Sequence, residues 1–354
     1  MAKKVLMKGN EAIAEAAIKS GCLHFFGYPI TPQTEISEYM AKRMPKVGGL
    51  CLQAESEVSA INMIMGAAAA GSRCLTSSSS PGISLKSEGI SYIVGCDLPC
   101  VIVNVQRGGP GLGGIQPSQQ DYYQATKANG HGDEQIIVLA PASVQEMAQL
   151  TSEAFDLADI YRMPAMILAD GALGQMMEPV DFELSSKREI PEKTWATNGT
   201  FGKRKKNIIN SLYMNPNELE QSIIDRYKRY DEVAEKETKY EEYKCDDADI
   251  VLVAYGITSR ICKTAIAAAR AKGIKVGLLR PITLWPYPKK PLRALADTAK
   301  HFLVVELNMG QMVDDVKVST ECKRPVSFYG RTGGVIPTPA EVLAEIEKIA
   351  GGLN

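Results

Sequence analysis

Four polar segments that could do chemistry each follow an apolar, strand-like run within the first 110 residues. They contribute a hydroxyl at Thr31, a carboxyl at Glu57, a Ser/Thr run at residues 76–80 and a guanidinium at Arg107. In an open α/β sheet, ligands bind where loops leave the carboxyl ends of the strands. We therefore expect these groups to face one crevice and to form an active site there.

Each of these groups also has a purely structural alternative. Glu57 could be a catalytic acid, or it could favour a helix N-terminus that Ser56 caps. Arg107 could bind a substrate carboxylate through two parallel hydrogen bonds, or it could form a structural ion pair. The hydroxyl of Thr31 could contact a ligand, or it could close a turn between two prolines. The residue types alone leave these alternatives open.

Length and composition place the chain among soluble globular proteins. The 354 residues exceed what one ordinary core needs, so two domains are expected. Contents of 45% hydrophobic and 23% charged residues are typical of this class. The net charge of −1 gives no electrostatic reason to expect nucleic acid or an acidic membrane as a partner. No apolar run reaches the roughly 18 residues that span a bilayer, and the start is not a signal-peptide core, so we expect a cytoplasmic protein.

Cysteine and histidine spacing predicts no metal site in this chain. None of the eight cysteines forms a Cys-x-x-Cys pair, so neither a zinc ribbon nor a ferredoxin-type cluster is indicated. The three histidines are too dispersed to form a metal site. Free thiols in such number suit a reducing compartment.

Three segments with different patterns must position these groups. Residues 1–185 alternate short strands and helices, which predicts a parallel sheet covered by helices on both faces. Residues 186–245 are rich in Lys, Arg, Glu and Tyr, and they predict a charged linker with helical runs over residues 217–243. Strand and helix patterns resume over residues 246–354 and predict a second, smaller α/β domain.

The linker carries a basic cluster formed by Lys203, Arg204, Lys205 and Lys206. Such a cluster could bind an anion or an acidic partner protein. Its composition favours a solvated loop.

Seven motifs occur along the chain in this order: GYPITP at 27–32, QAESE at 53–57, TSSSSPG at 76–82, VQRGGP at 105–110, GHGD at 130–133, LRPITLWP at 279–286 and VELNMGQ at 305–311. Together they resemble the motifs of the α-type subunits of 2-oxoacid:ferredoxin oxidoreductases. They extend over nearly the whole chain in the right order. The resemblance implies a doubly wound parallel-sheet domain that binds the pyrimidine of thiamine, followed by a smaller α/β domain like the C-terminal domain of transketolase.

The same resemblance implies roles for the groups at the predicted crevice. In thiamine enzymes a carboxylic acid donates a hydrogen bond to N1′ of the aminopyrimidine, and Glu57 occupies that position; Glu55, two residues earlier, fits it less well. Thr31 would contact the 2-oxo-acid end of the substrate, and Arg107 would bind its carboxylate. The cofactor-binding residues that the resemblance implies are Pro29, Glu57, Ser79 and Ser80.

The charged linker looks most like that of the branched-chain type, which acts on 3-methyl-2-oxobutanoate. The implied reaction is oxidative decarboxylation of this 2-oxoacid with coenzyme A, which yields an acyl-CoA, carbon dioxide and reduced ferredoxin. The same reaction on 2-oxoglutarate is the main alternative, and its second carboxylate would need an additional cation. A non-catalytic regulatory subunit of the same fold is a further alternative, against which the intact Thr31, Glu57 and Arg107 argue. A transketolase-like or synthase activity is another alternative function.

The sequence lacks two features that this reaction needs. No Gly-Asp-Gly motif is present to hold the magnesium ion of thiamine diphosphate, because Ala169 precedes Asp170 and Gly171. The cysteine spacings provide no iron–sulfur cluster. The resemblance therefore implies that Mg²⁺ and the 4Fe-4S clusters lie on partner subunits: a diphosphate-binding β-type subunit, and ferredoxin-like and γ-type subunits. Thiamine diphosphate would then lie at an interface between chains, and this subunit alone should be inactive.

Overall fold

The computed structural model describes residues 4–184 and 188–353. The strands are β1 Val5–Lys8, β2 His24–Gly27, β3 Leu50–Gln53, β4 Cys74–Ser78, β5 Val101–Gln106, β6 Ile137–Leu139, β7 Ala165–Asp170, β8 Met177–Val180, β9 Tyr240–Tyr243, β10 Ile250–Val253, β11 Val276–Pro281, β12 Thr283–Trp285, β13 His301–Glu306 and β14 Val326–Gly330. The helices are α1 Gly9–Lys19, α2 Thr34–Arg43, α3 Glu57–Ala69, α4 Ser80–Gly95, α5 Tyr122–Thr126, α6 Val144–Tyr161, α7 Gly171–Gln175, α8 Pro216–Lys236, α9 Gly256–Ala271, α10 Lys289–Thr298, α11 Met312–Ser319 and α12 Pro339–Leu353.

The larger sheet has seven strands in the order β12-β6-β7-β5-β4-β2-β3. Its strands from β6 to β3 are parallel, and β12 pairs antiparallel with β6 at one edge. The parallel strands therefore point their carboxyl ends toward the same edge of the sheet. The chain segments that begin at the ends of β2, β3, β4 and β5 carry the four polar groups expected to form a site.

The smaller sheet has five strands in the order β14-β13-β10-β11-β9, with β9 antiparallel to β11. Buried hydrogen bonds connect this second unit to the chain segment that follows Arg107. Tyr122 donates through its Oη to Asp315 Oδ2 at 2.6 Å, and Gln119 donates through Nε2 to the Tyr255 carbonyl oxygen at 2.9 Å. The second unit thereby fixes the loop that leads away from the candidate site.

The Ser/Thr run was expected to form a loop after a strand, and this expectation is wrong for its first three residues. Strand β4 extends through Ser78, and Ser79 separates it from α4. The buried hydroxyls of Thr76 and Ser77 fit the strand because they find partners. Thr76 Oγ1 accepts a hydrogen bond from Lys86 Nζ at 2.7 Å, and Ser77 Oγ donates one to Gln33 Oε1 at 2.5 Å.

The helix expected over residues 217–243 ends at Lys236, and the last part of that prediction is wrong. Tyr240–Tyr243 forms the edge strand β9 of the smaller sheet. The physical reason is the alternation of Tyr and Glu in this segment, whose period of two matches a strand. This strand precedes residue 245 and joins the second sheet. The division of the chain near residue 245 stays a prediction.

The basic cluster of the linker lies in a segment without helix or strand. Lys203, Lys205 and Lys206 are exposed. Arg204 differs from them, because its Nη2 donates hydrogen bonds to the Ala196 carbonyl oxygen and to Asn198 Oδ1, both at 2.7 Å. A role of this cluster in binding stays a prediction. None of the helices within residues 4–184 and 188–353 combines the length and apolar character that a bilayer-spanning segment needs.

Helices α3 and α4, which border the candidate site, approach each other closely at Gly89. A methyl group built on Gly89 would lie 2.4 Å from Cγ2 and 3.2 Å from Cβ of Ile61. Both residues are buried. Only a glycine therefore lets the backbone of α4 approach α3 this closely, and the spacing of the two helices depends on it.

We expect Gly89→Ala to lower the free energy of unfolding by about 1–3 kcal/mol, because Ile61 must shift within a close-packed core. Gly66→Ala, on the exposed face of α3, is the matched control. A methyl group at Gly66 meets nothing within 4 Å, and alanine favours a helix over glycine by up to about 1 kcal/mol. Urea unfolding followed by circular dichroism compares the two variants. Equal stability of both would contradict the close packing at Gly89.

Candidate active site

Arg107 joins the loops that follow β2 and β5. Its Nη1 donates a hydrogen bond to the Thr31 carbonyl oxygen at 2.9 Å, and its Nη2 donates to the Leu112 carbonyl oxygen at 3.3 Å. The residue is only 7% exposed, and its buried Nε has no hydrogen-bond partner among the described residues. Pro29 and Thr31 are exposed on the loop between β2 and α2. The structure thus brings Thr31 and Arg107 together, and the two carbonyls use two of the five N–H groups of the guanidinium.

A buried hydrogen-bond network ties the start of α4 to the end of β5. Ser80 Oγ accepts a hydrogen bond from the Arg107 backbone N–H at 3.0 Å and donates one to Asp121 Oδ2 at 2.6 Å. Asn104 contacts the same acid, because its Nδ2 donates to Asp121 Oδ2 at 2.8 Å. Burial raises the pKa of the Asp121 carboxyl, and the hydrogen bonds from Ser80 and Asn104 oppose this rise. Ser80 therefore fixes α4 relative to Arg107.

The carboxyl group of Glu57 lies against the first turn of α4. Glu57 begins α3 and is 6% exposed. A methyl group built on Gly82 would lie 2.8 Å from Glu57 Oε1 and 2.1 Å from Ser78 Oγ. The acid and the hydroxyl therefore border one small space that a Cβ atom would fill. The hydroxyls of Ser78 and Ser79 are buried and find no hydrogen-bond partner in the described part of the chain.

The contacts of two of these groups bear on their structural alternatives. Ser56 caps α3, because its hydroxyl accepts a hydrogen bond from the Ser59 N–H at 3.2 Å. No hydrogen bond within residues 4–184 and 188–353 uses the Glu57 carboxyl, and Glu57 lies in the first turn of the helix that Ser56 caps, so both of its alternatives stay open. Arg107 forms its contacts with backbone carbonyls, and no carboxylate of the described residues pairs with it.

These contacts connect the four predicted polar segments at one edge of the sheet. Thr31 contacts Arg107, Arg107 contacts Ser80, and the helix that begins at Ser80 places Gly82 against Glu57. A buried acid without protein partners can exchange a proton with the polar edge of a ligand. A guanidinium with an unused donor can bind a carboxylate. The arrangement therefore suits a ligand with a polar ring and a substrate acid.

Sequence reasoning missed Lys86, which is fully buried in α4. Its Nζ donates hydrogen bonds to Thr76 Oγ1 at 2.7 Å and to the Ser77 carbonyl oxygen at 3.0 Å. A signal was present, because Lys86 falls at helical spacing between Ile83 and Ile90 on the apolar face of the helix.

Asn104 and Asp121 were also missed as parts of the site. Asn104 interrupts an otherwise apolar strand, which is a usable signal of a buried polar contact. Asp121 follows an irregular, glycine-rich segment, and no sequence pattern distinguishes it there.

The described residues contain no group of three or more His, Cys, Asp or Glu side chains that could hold a metal ion. All eight cysteines are free. The Asp170 carboxylate caps α7 by accepting hydrogen bonds from the Ala172 and Leu173 N–H groups, both at 3.0 Å. Burial raises its pKa to about 6, and the hydrogen bonds from Leu173, Ile257 and Ala172 oppose this rise.

Two family models match the chain. The thiamine-diphosphate-binding domain of pyruvate flavodoxin/ferredoxin oxidoreductases matches residues 15–247. Core domain II of pyruvate:ferredoxin oxidoreductases matches residues 248–342. The segment that the first of these models matches includes all of the candidate site residues.

Curated relatives match over nearly their full lengths. The ketoisovalerate oxidoreductase subunit VorB of Methanothermobacter marburgensis is 50% identical, over 99% of this chain and 99% of its own length. The 2-oxoglutarate synthase subunit KorA of Methanothermobacter thermautotrophicus is 36% identical, over 99% of this chain and 100% of its own length.

Solved structures share the fold. A 2-oxoglutarate:ferredoxin oxidoreductase from Magnetococcus marinus aligns with a TM-score of 0.87 and 28% identity; the alignment covers 98% of this chain and 65% of that chain. An inactive split-gene transketolase aligns with a TM-score of 0.61 and 15% identity, over 97% of both chains, and shows likeness of fold alone. The predicted fold class, a doubly wound thiamine-type domain with a smaller transketolase-like domain, is confirmed.

The resemblance read from the seven sequence motifs is confirmed by these matches. They also agree with the branched-chain character that the linker indicated. The chain belongs to the 2-oxoacid:ferredoxin oxidoreductase family, as an α-type subunit of the branched-chain type with a thiamine-diphosphate-binding domain.

Proposed function

We propose that this chain supplies the pyrimidine side of a thiamine diphosphate site in an enzyme that oxidatively decarboxylates 3-methyl-2-oxobutanoate. With coenzyme A and ferredoxin as the other reactants, the products are an acyl-CoA, carbon dioxide and reduced ferredoxin. The observation that carries the proposal is the buried Glu57 carboxyl, which faces Ser78 and Gly82 and is free of hydrogen bonds from the described residues. Thiamine diphosphate, when bound, supplies the electron sink for the decarboxylation.

The groups around Glu57 fit an aminopyrimidine. Glu57 in its acid form would donate a hydrogen bond to the ring nitrogen N1′. The partnerless hydroxyls of Ser78 and Ser79 can satisfy other polar atoms at the ring edge. Because Gly82 carries no side chain, the first turn of α4 approaches the acid and the Ser78 hydroxyl closely. We assign the exposed Pro29 and the anchoring Ser80 to the same cofactor site.

Arg107 and Thr31 would bind the substrate. Two N–H groups of Arg107 hold the Thr31 and Leu112 carbonyls, and the remaining N–H groups on its Nη nitrogens would donate to the substrate carboxylate. The hydroxyl of Thr31, on the loop that Arg107 holds, would contact the 2-oxo group. Orientation of the 2-oxoacid is thus the contribution of these two residues.

The similarity to other subunits supports a branched-chain 2-oxoacid over 2-oxoglutarate. The subunits named for ketoisovalerate are 49–50% identical to this chain. Those named as 2-oxoglutarate synthase subunits are 35–36% identical. Fewer differences separate this chain from the ketoisovalerate type, so the substrate pocket should resemble that type.

We propose that the remaining parts of the reaction belong to partner subunits. A β-type subunit would bind the diphosphate together with Mg²⁺. Ferredoxin-like and γ-type subunits would carry the 4Fe-4S clusters that pass electrons to ferredoxin. The assembled enzyme would work in the cytoplasm, where thiols stay reduced.

An assay of the assembled complex tests the proposed function. The chain is co-expressed with its genomic neighbours under anaerobic conditions, and reduction of a viologen dye is measured with coenzyme A and one of three acids. We expect thiamine-dependent activity with 3-methyl-2-oxobutanoate that exceeds activity with 2-oxoglutarate and pyruvate. A preference for another acid would revise the substrate. No activity with any 2-oxoacid, from a complex that contains thiamine and clusters, would contradict the function.

We expect Gly82→Ala to lower the rate of this complex by on the order of 100-fold, because the added methyl group must displace Glu57 or Ser78. Gly66→Ala, far from this space on the exposed face of α3, should retain the rate. The turnover number at saturating thiamine diphosphate compares the two variants. Full activity of Gly82→Ala would show that the space beside the acid is not used.

A further inference from the structure

Lys86 is a fully buried lysine whose hydrogen-bond partners are neutral. Its Nζ donates to the hydroxyl of Thr76 and to the carbonyl oxygen of Ser77. An ammonium group has three donors, and no carboxylate of the described residues pairs with it. A buried charge without a paired acid is costly, so such a group readily changes its protonation state.

Lys86 lies next to the space that Glu57 borders. It follows Gly82 by one helical turn, so the two residues lie on the same face of α4. Gly82 faces Glu57 and Ser78, and Thr76, which accepts a hydrogen bond from Lys86, points to the same face of β4 as Ser78. The amine and the acid thus belong to one buried cluster with the partnerless Ser78 hydroxyl.

Electrostatics couple the two groups. Burial lowers the pKa of Lys86 to about 7, and the nearby Glu57 carboxylate opposes this fall. Within the described part of the chain, Glu57 is the one charged group whose field acts on Lys86. Lys86 therefore loses its proton more readily than a lysine in water does.

We propose that Lys86 is a positioning residue that compensates the charge of Glu57: when Glu57 takes up the proton with which it donates a hydrogen bond to N1′ of thiamine, Lys86 releases one. This inference rests on the proposed function, because it requires the pyrimidine at Glu57. One proton binds to a carboxylate and one leaves an ammonium group, so the cluster keeps its net charge. Each of the two groups can exchange its proton with the solvent independently. Because one group gains a proton and the other loses one, the net number of protons taken from the solvent is zero.

The number of protons taken up when thiamine diphosphate binds tests this proposal. Calorimetric titration of the complete multi-subunit complex with thiamine diphosphate and Mg²⁺, in buffers of different ionisation enthalpy, gives that number. At pH 6.5 we expect an uptake close to zero for the wild type. For Lys86→Met, which keeps the length of the side chain without its charge, we expect uptake of about one proton and an affinity that falls about tenfold per pH unit as the pH rises. The two proteins should converge as the pH rises, because Lys86 is then neutral before thiamine diphosphate binds.

Three further variants make the measurement decisive. Lys42→Met removes an exposed lysine on α2 and should behave like the wild type. Thr76→Val removes one acceptor of the ammonium group, so it should raise the proton uptake at pH 6.5 even if Lys86→Met fails to assemble. Adding Glu57→Gln to Lys86→Met should return the uptake to near zero, because no carboxylate remains to take up the proton.

Each outcome supports or overturns the inference. Equal proton uptake by the wild type, Lys86→Met and Thr76→Val at pH 6.5 would overturn the role of Lys86 and leave the proposed function standing. Uptake that persists in the double variant would show that Glu57 is not the acid at N1′. That result, or a wild-type complex that does not bind thiamine diphosphate, would overturn the proposed function and the inference together.

Discussion

Glu57→Gln is expected to lower the thiamine-dependent rate of the assembled enzyme by about 10²- to 10⁴-fold, which is the usual contribution of a positioned acid or base. Glutamine keeps the size of the side chain, but its amide cannot exchange a proton with N1′. The carboxyl of Glu57 makes no hydrogen bond within the described residues, so the fold should tolerate the change. Steady-state viologen reduction at saturating cofactor measures the loss, and thermal unfolding verifies that the complex is intact.

Glu55→Gln is the matched control for this experiment. Glu55 lies two residues earlier and is exposed, whereas Glu57 is buried. The control should therefore keep the wild-type rate within a factor of about two, as expected for a surface position. A comparable loss in both variants, or a retained rate in Glu57→Gln, would contradict the assignment of the acid.

Arg107→Lys is expected to lower kcat/KM for the 2-oxoacid by on the order of 10²- to 10³-fold, mainly through a higher KM. Arg107 uses one N–H group on each Nη nitrogen for the Thr31 and Leu112 carbonyls and retains the others for a carboxylate. A lysine offers a single nitrogen, so it cannot hold both carbonyls in this geometry and bind the substrate. Initial rates over a range of 2-oxoacid concentrations separate KM from kcat, and the affinity for thiamine diphosphate should change little.

Arg204→Lys provides the control for this substitution. Arg204 also donates to a backbone carbonyl, that of Ala196, but it lies in the linker and not at the site. It should leave KM unchanged. If Arg107→Lys lowered thermal stability and left KM unchanged, the role of Arg107 would be to hold the loops alone.

The grouping of the site residues could be predicted because parallel strands end at one edge of a sheet. Thr31, Ser80 and Arg107 come from segments up to 76 positions apart, yet Arg107 contacts both of the others. Strand and helix periodicity was sufficient for this result, since it placed each group after a strand. The chemical roles of these residues depended on the family motifs and stay proposals.

Contacts between residues that are distant in the sequence determine the features that the sequence did not indicate. Ser78 reads as part of a polar loop, but it lies in a buried strand. Lys86 falls on the apolar face of its helix in the sequence, but nothing there shows that β4 supplies acceptors for its ammonium group. Strand β12 lies only two residues after β11, but it joins the other sheet. Local patterns do not specify which distant groups will meet a polar atom or a strand edge, so these features became visible only in the structure.

The most direct test of the central assignment is an experimental structure of the complete complex with thiamine diphosphate bound. We predict that a carboxylate oxygen of Glu57 lies within hydrogen-bond distance of N1′, about 2.6–3.2 Å, with the ring beside Ser78 and Gly82. A pyrimidine held by another acid, such as Glu55, or bound at a distance from α3 and α4, would contradict the assignment.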